Sequence, residues 1–323
     1  MVTSKISINN HKVDHWKADV AASVKFYNEW FLRFAPQTYI AERAEASAKV
    51  EDAFRMTDDL SAITPQSIKD NPSLLHIFRM LTAPPIARDR LSGLASMKKS
   101  VVENLESGKL PKMKSELLDK QLSRVVSVID QLLDRQLFEW LDENRRPSRQ
   151  ERKRASSVIA DRLCGADANP IIRNEQERRQ IEALSSYLDQ NGYHQIKTSD
   201  VEDFREMNAG TYCDHLIVLV EDNAGMRQKR IPVDMVVKPL SSVAYDLPVL
   251  IECKSAGDYT NTNKRQKEEA LKMNQLRDTY GNNLRYILFL CGYFGTPFQG
   301  YVASEGIDWV WEHRINDFDI LFK

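Results

Sequence analysis

The hydrophobic period of this chain changes once, at Asn191-Gly192, and that change constrains the fold more than any other feature. Ahead of it apolar residues recur every three to four positions; behind it they come in short alternating or continuous runs. Residues 13–163 therefore read as almost wholly helical, most clearly over 115–143, where Leu118, Leu122, Val125, Ile129, Leu132, Leu133 and Trp140 form one apolar stripe. Breaks are expected at Pro36, Thr64-Pro65, Ala83-Pro84-Pro85, Ser107-Gly108 with Pro111, and Pro147, giving five or six helices. Asn169-Pro170 is expected to precede a further helix over 171–190. Beyond Gly192, strands are expected at 194–196, 214–221, 230–238, 247–254, 284–291 and 309–312, with Asn223-Ala224-Gly225 turning the second into the third. A charged helix over 262–280 and a short one over 315–322 complete an α+β chain. The expected division is a helical region over 1–165, serving as scaffold, dimer contact or DNA contact, and a sheet-bearing core over 166–323.

Charge narrows the range of functions. Lys and Arg number 45 against 46 Asp and Glu in 323 residues, so a polyanion site must be a local patch. One such patch runs from Arg145 to Arg179, with ten cations against five anions; a solvated helix face explains most such runs, and phosphate contact by Arg149, Arg152 and Arg173 is the sharper reading. The four cysteines lie far apart with no CxxC pair, which points to a reducing compartment. With a polar start and no apolar run long enough to span a bilayer, the expected location is the cytoplasm. A Gly-rich phosphate loop, an HExxH pair and a Gly-x-Ser-x-Gly elbow are all absent, so ATP-driven, zincin and serine hydrolase chemistry have no starting residue.

The chemistry concentrates in two strands. Asp234 lies among apolar neighbours in the run IPVDMVV, where a buried carboxylate demands a cation, a donor or a metal. Eighteen residues later Glu252 and Lys254 share one face of the next strand, because the strand period is two. If the strands are neighbours, two carboxylates and an ammonium converge. That set suits a hard divalent cation such as Mg²⁺, with the Cys253 carbonyl as a further ligand and a substrate phosphate completing the shell, and the reaction it favours is phosphodiester hydrolysis. An acidic residue two before a lysine also occurs at Glu151/Lys153, so the triplet alone says little; an internal salt bridge beside a surface glutamate is the plainer alternative. The following loop and helix start carry Ser255, Asn261, Asn263, Lys264, Arg265 and Lys267, small hydroxyls, amides and cations suited to phosphates and base edges.

The runs IPVDMVVKP (231–239) and LPVLIECKSAGDYTNTNKRQKEEA (247–270), with ADANPIIRNEQERRQ (166–180) upstream, resemble the XamI-like type II restriction endonucleases of the PD-(D/E)XK nuclease superfamily. The resemblance covers most of the chain and is most specific over 252–269. It implies a restriction-endonuclease-like α/β/α core, Mg²⁺-dependent cleavage of double-stranded DNA at a short palindrome, GTCGAC for the family's namesake, and a homodimer paired functionally with a DNA methyltransferase. Within it Asp234 and Glu252 correspond to metal ligands and Lys254 to the catalytic lysine, while Glu177 is the candidate for the glutamate that a preceding helix often lends, with Glu175 and Glu182 as rivals. Here the superfamily's Pro-Asp pair is spaced by Val233, and Gln275 to Tyr280 is one residue longer than the spacing of the recombination-type branch. A nuclease of repair or mobile-element origin and a non-catalytic DNA-binding module are the alternatives; discrete plasmid fragments would exclude the first, and Asp234-dependent cleavage the second.

Overall fold

A computed structural model describes residues 7–221, 228–243, 246–260 and 262–323. The expected turn at Asn223-Ala224-Gly225 and the candidate Asn261 lie outside the described residues. The chain folds as two compact units: one comprises residues 1–34 and 173–323, the other 35–172. The sequence placed its division at 165/166, and did not anticipate that the first residues accompany the sheet.

Unit 35–172 is helical. It contains the later part of α1 (Val13–Met56), then α2 (Pro65–Asp70), α3 (Leu74–Met80), α4 (Arg88–Leu94), α5 (Lys99–Glu106), α6 (Ser115–Leu132), α7 (Glu139–Asp142) and the first part of α8 (Arg149–Gln190). The predicted stripe is real: Leu118, Leu122, Val125, Ile129, Leu133 and Trp140 are buried in one core, with Leu132 at its edge. Two expected breaks are not breaks. Pro36 lies inside the 44-residue α1 and Pro170 inside the 42-residue α8. A proline removes one hydrogen bond and crowds one carbonyl, at about 3 kcal/mol, and the flanking turns, each packed on a core, carry the helix through.

The other unit is built on a mixed six-stranded sheet in sequence order: β1 (His194–Gln195), β2 (Thr211–Glu221), β3 (Gln228–Lys238), β4 (Val249–Ala256), β5 (Arg285–Gly292) and β6 (Asp308–Trp311). β2, β3 and β4 form an antiparallel meander; β1 joins β2 in parallel, and β4, β5 and β6 are mutually parallel. Parallel neighbours need crossovers, supplied by α9 (Thr262–Tyr280) and α10 (Thr296–Ser304). The sequence foresaw the bounds of α9 but missed α10, a nine-residue helix without a charged residue. The expected terminal helix is a 3₁₀ segment (Glu312–Phe318) running into α11 (Asp319–Phe322).

Both faces of the sheet are covered around β4, β5 and β6. One core joins Leu250, Val236 and Leu288 with Trp16 and Val20 of α1, Met273 and Leu276 of α9 and Phe298 of α10. The other joins Val249, Ile251, Cys253 and Phe289 with Ile181, Leu184 and Leu188 of α8 and with Phe318 and Phe322. β4, β5 and β6 are almost continuously apolar because each feeds two cores, whereas the far half of the β2–β3 hairpin alternates buried and exposed residues. Gly292 ends β5 at φ +93°, and a Cβ there would lie 2.2 Å from the Ala256 carbonyl oxygen, so no other residue fits this close pairing of β4 and β5.

Candidate active site

Strand register brings the sequence-predicted residues together. Met235 pairs with Ile251, Val236 with Leu250 and Val237 with Val249. One further step would set Asp234 opposite Glu252, but the ladder stops, and Asp234 Oδ2 instead accepts the backbone N–H of Cys253 at 2.8 Å. Beyond that point β3 pairs with β2 alone, and Pro232, which has no N–H to offer, sits in this half. The Pro-x-Asp spacing thus marks where β3 and β4 part and leave room beside the carboxylate.

Glu252 and Lys254 alternate with Ile251 and Cys253, so they project from the face that α9 covers. Lys254 Nζ lies 2.6 Å from Glu252 Oε1 and 3.4 Å from Glu269 Oε1, while Lys272 Nζ lies 2.6 Å from Glu252 Oε2. The Tyr286 hydroxyl donates to Glu269. Glu252 and Glu269 are each 5% exposed, and such charges persist in the interior only when paired. Sequence reasoning missed Glu269 and Lys272. Their i,i+3 spacing puts them on one side of α9, a helix read as a charged face toward solvent or phosphate, and only the tertiary fold shows that this side turns inward.

The electrostatics follow from this packing. Burial, and then the neighbouring Glu252 carboxylate, push the Asp234 carboxyl up to about 6 against the pull of Lys254 and the Cys253 N–H. Burial opposes the charge on Lys254, but Glu252, Glu269 and Asp234 outweigh it and hold the ammonium above the usual lysine range. Burial, with Glu252 and Glu269, also holds the Tyr286 hydroxyl well above its ordinary range. Three carboxylates against two ammoniums leave an excess of negative charge, and the oxygen donors of Asp234 and Glu252 fit a hard divalent cation.

A second group meets Asp234 from the other side. One ligand atom each from Glu177 of α8, His215 of β2 and Asp234 lie within 4.8 Å of one another. Its two glutamate rivals are otherwise engaged, Glu175 and Glu182 both pairing with Arg178. His215 was not foreseen. It falls in register opposite Asp234, between the pairs Asp214↔Met235 and Leu216↔Val233, and has φ 49° in mid-strand. Around it the inward alternation changes phase. Cys213 and Leu216, three apart, enter the same core, whereas Val233 and Met235, two apart, enter different ones. The only sequence signal was positional, a histidine reached by counting across the hairpin from Asp234.

Of the residues expected at DNA, Asn263, Lys264, Lys267 and Arg173 are exposed, Lys264 pairing with Glu268 one turn on. Ser255 and Arg265 face inward. The Ser255 hydroxyl donates to Gln180 Oε1 at 3.0 Å, and the Arg265 guanidinium donates to the Ser255 carbonyl. In the basic run of unit 35–172, Arg152 is held by Glu51 at 2.6 Å and Asp59 at 2.8 Å, whereas Arg149 is exposed.

Residues 58–311 match the family model described as XamI restriction endonuclease. The chain is 46% identical over 313 residues, 97% of its own length and 98% of the relative's, to the type II restriction enzyme SalI of Streptomyces albus G. It is 26% identical over 232 residues, 70% of its own length and 76% of the relative's, to the type II restriction enzyme XamI of Xanthomonas campestris pv. amaranthicola. No solved structure matches it.

Proposed function

Because the chain belongs to the XamI restriction endonuclease family, and is thus a site-specific type II restriction endonuclease acting on DNA, we propose that its cleavage centre is Asp234, Glu252 and Lys254 working with Mg²⁺. Type II restriction endonucleases generally use a divalent metal, and here Asp234, Glu252 and the Cys253 carbonyl would hold it. Once bound, the cation supplies Lewis acidity toward the scissile phosphate. The observation that carries the reading is the meeting of the Asp234 carboxylate with the Cys253 N–H, between the two members of the Glu252/Lys254 pair.

Each side chain then has a task. Lys254, kept protonated by Glu252 and Glu269, offsets the charge that grows on the pentacovalent phosphorus and orients the attacking water. Glu252 is held in place by two lysines, one at each carboxylate oxygen. Asp234, ionised above about pH 6, would hold the cation as a carboxylate. Glu177 assists at the edge of this group. Asn263, Lys264, Lys267 and Arg173 take backbone phosphates, Ser255 and Arg265 shape the turn beneath them, and Arg149 offers a further cation. A palindromic site is read by a two-fold protein, so the working species is a homodimer. In the cytoplasm a cognate methyltransferase shields host DNA from it; no described helix is long and apolar enough to cross a membrane.

The test is digestion of a plasmid carrying one GTCGAC sequence, with Mg²⁺ and with EDTA. The reading predicts one cut at that palindrome, abolished by EDTA and restored by Mg²⁺. Cutting elsewhere would refute the proposed site, and cutting undiminished in EDTA the metal requirement.

A further inference from the structure

Past the point where β3 leaves β4, the β2–β3 ribbon has one buried and one uncovered side. Along β3, Arg230 and Pro232 alternate with the buried Ile231 and Val233, and so stand on the side of the strand that Asp234 occupies. Along β2, Ile217 and Leu219 alternate with the buried Val218 and Val220. The register sets Ile217 opposite Pro232 and Leu219 opposite Arg230, so the four form one exposed row that begins at Asp234. Ile217 and Leu219 are each 41% exposed, while the buried side of the ribbon feeds the core beneath α9. Among the described residues the Arg230 guanidinium has neither a hydrogen bond nor an ion pair.

What covers this row follows from what must reach Asp234. The chain acts on DNA, and in the proposed cleavage centre the scissile phosphate comes to the Asp234 carboxylate. Pro232 lies two residues from it and Arg230 four, about 7 and 13 Å along a strand. The major groove of B-DNA is about 12 Å wide and admits a two-stranded β-ribbon, so a duplex held at Asp234 brings a groove within reach of the whole row. The side chains match that groove. Arginine donates to guanine O6 and N7, and aliphatic groups pack on the thymine methyl, both of which project into the major groove. Pro232, which lacks an N–H, blunts the edge of β3 that β4 leaves free, and this counts against strand pairing with a second copy.

We propose that the exposed side of the β2–β3 ribbon lies in the major groove of the recognition site, with Arg230 donating to O6 and N7 of a guanine and Ile217 and Leu219 packed on thymine methyls. The inference rests on the proposed cleavage centre at Asp234, and both bases occur in the proposed GTCGAC. Reading bases from the strand that carries the catalytic aspartate ties recognition to the place of the cut. A slip of one base pair, about 3.4 Å, takes the guanine from Arg230 and the phosphate from Asp234 together.

The full-length protein is assayed with Mg²⁺ on the duplex it cuts, and on the same duplex with 7-deazaguanine in place of guanine or uracil in place of thymine. For the native chain kcat/KM should fall at least about fivefold with 7-deazaguanine and about threefold with uracil. Arg230→Ala should lose at least fivefold on the natural duplex and then ignore 7-deazaguanine, and an Ile217→Ser/Leu219→Ser double variant should ignore uracil. Affinity of Arg230→Ala for a duplex without the site should stay within about twofold of native, because a base contact carries no weight there. A native chain indifferent to either analogue, native cleavage by Arg230→Ala, or equal losses on the site and on unrelated DNA would overturn the proposal. So would sedimentation of the double variant as a monomer where the native chain is a dimer, which would place this surface between two copies. Asp234→Asn separates the two readings: it should not cut, and cutting would bring down the cleavage centre and the inference with it. An inactive Asp234→Asn beside an analogue-indifferent native chain would bring down the ribbon alone.

Discussion

At the scale of single residues, Asp234 is where strand geometry and ionisation meet. Its carboxyl, at about 6 in the fold, lies above the ordinary aspartate value of 3.8. A raised carboxyl binds its proton more tightly folded than unfolded, so its contribution to stability is full below pH 3.8 and is lost as pH rises through 6. In the metal-free protein Asp234→Asn should therefore be more stable than the native chain at pH 7.5, with the difference shrinking by pH 5; thermal melts across that interval check it. Cation binding at pH 7.5 should recover the loss in the native chain and leave Asp234→Asn unmoved. Asp234, Glu252 and Lys254 were legible because each interrupts an apolar strand, where burial makes a charge conspicuous. Lys272, Glu269 and His215 were not, since a charged residue on a helix and a histidine in a strand acquire meaning only from what lies across from them.

At the scale of elements, the strands and α9 were legible because period and length agree with burial on both faces. The helices with internal proline were not. The sequence treats Pro36 and Pro170 as stops by local rule, yet α1 and α8 continue, each crossing the boundary between compact units within a few residues of its proline. Pro36 is exposed, so replacing it removes little packing. Pro36→Ala should restore the missing hydrogen bond and stabilise the protein by about 1–2 kcal/mol, after allowing for the greater freedom of the unfolded chain; the shift of a urea unfolding midpoint measures it. Within the sheet unit, α8 is fastened to the 3₁₀ segment by an ion pair. Arg179 is bound to Glu312 at 2.9 Å and packed over Trp30 at 4.5 Å, and Glu312 is buried. Arg179→Met should cost about 3–5 kcal/mol by stranding that carboxylate, seen in the same unfolding experiment.

At the scale of the whole molecule, long-range closure was beyond the reach of the sequence. The backbone N–H groups of Ile8, Asn9 and Asn10 all donate to the carboxylate of Asp308, some three hundred positions away, and tie the start of the chain to β6. Nothing in the first residues advertises this partner. Net charge works at the same scale: with a formal charge of −1 the protein has no general attraction to DNA, so binding must depend on few cations. Each phosphate contact lowers the slope of log affinity against log salt by about 0.9. Lys264→Ala and Lys267→Ala should each flatten that slope by roughly one contact, and an unchanged slope would remove that lysine from the DNA face. The most direct test of the central claim is single-turnover cleavage of a duplex bearing the palindrome by Lys254→Ala, with affinity for the same duplex measured in parallel. We predict a rate lower by about a thousandfold with affinity within about threefold of native; cleavage at the native rate would contradict the assignment of Lys254 and the centre built around it.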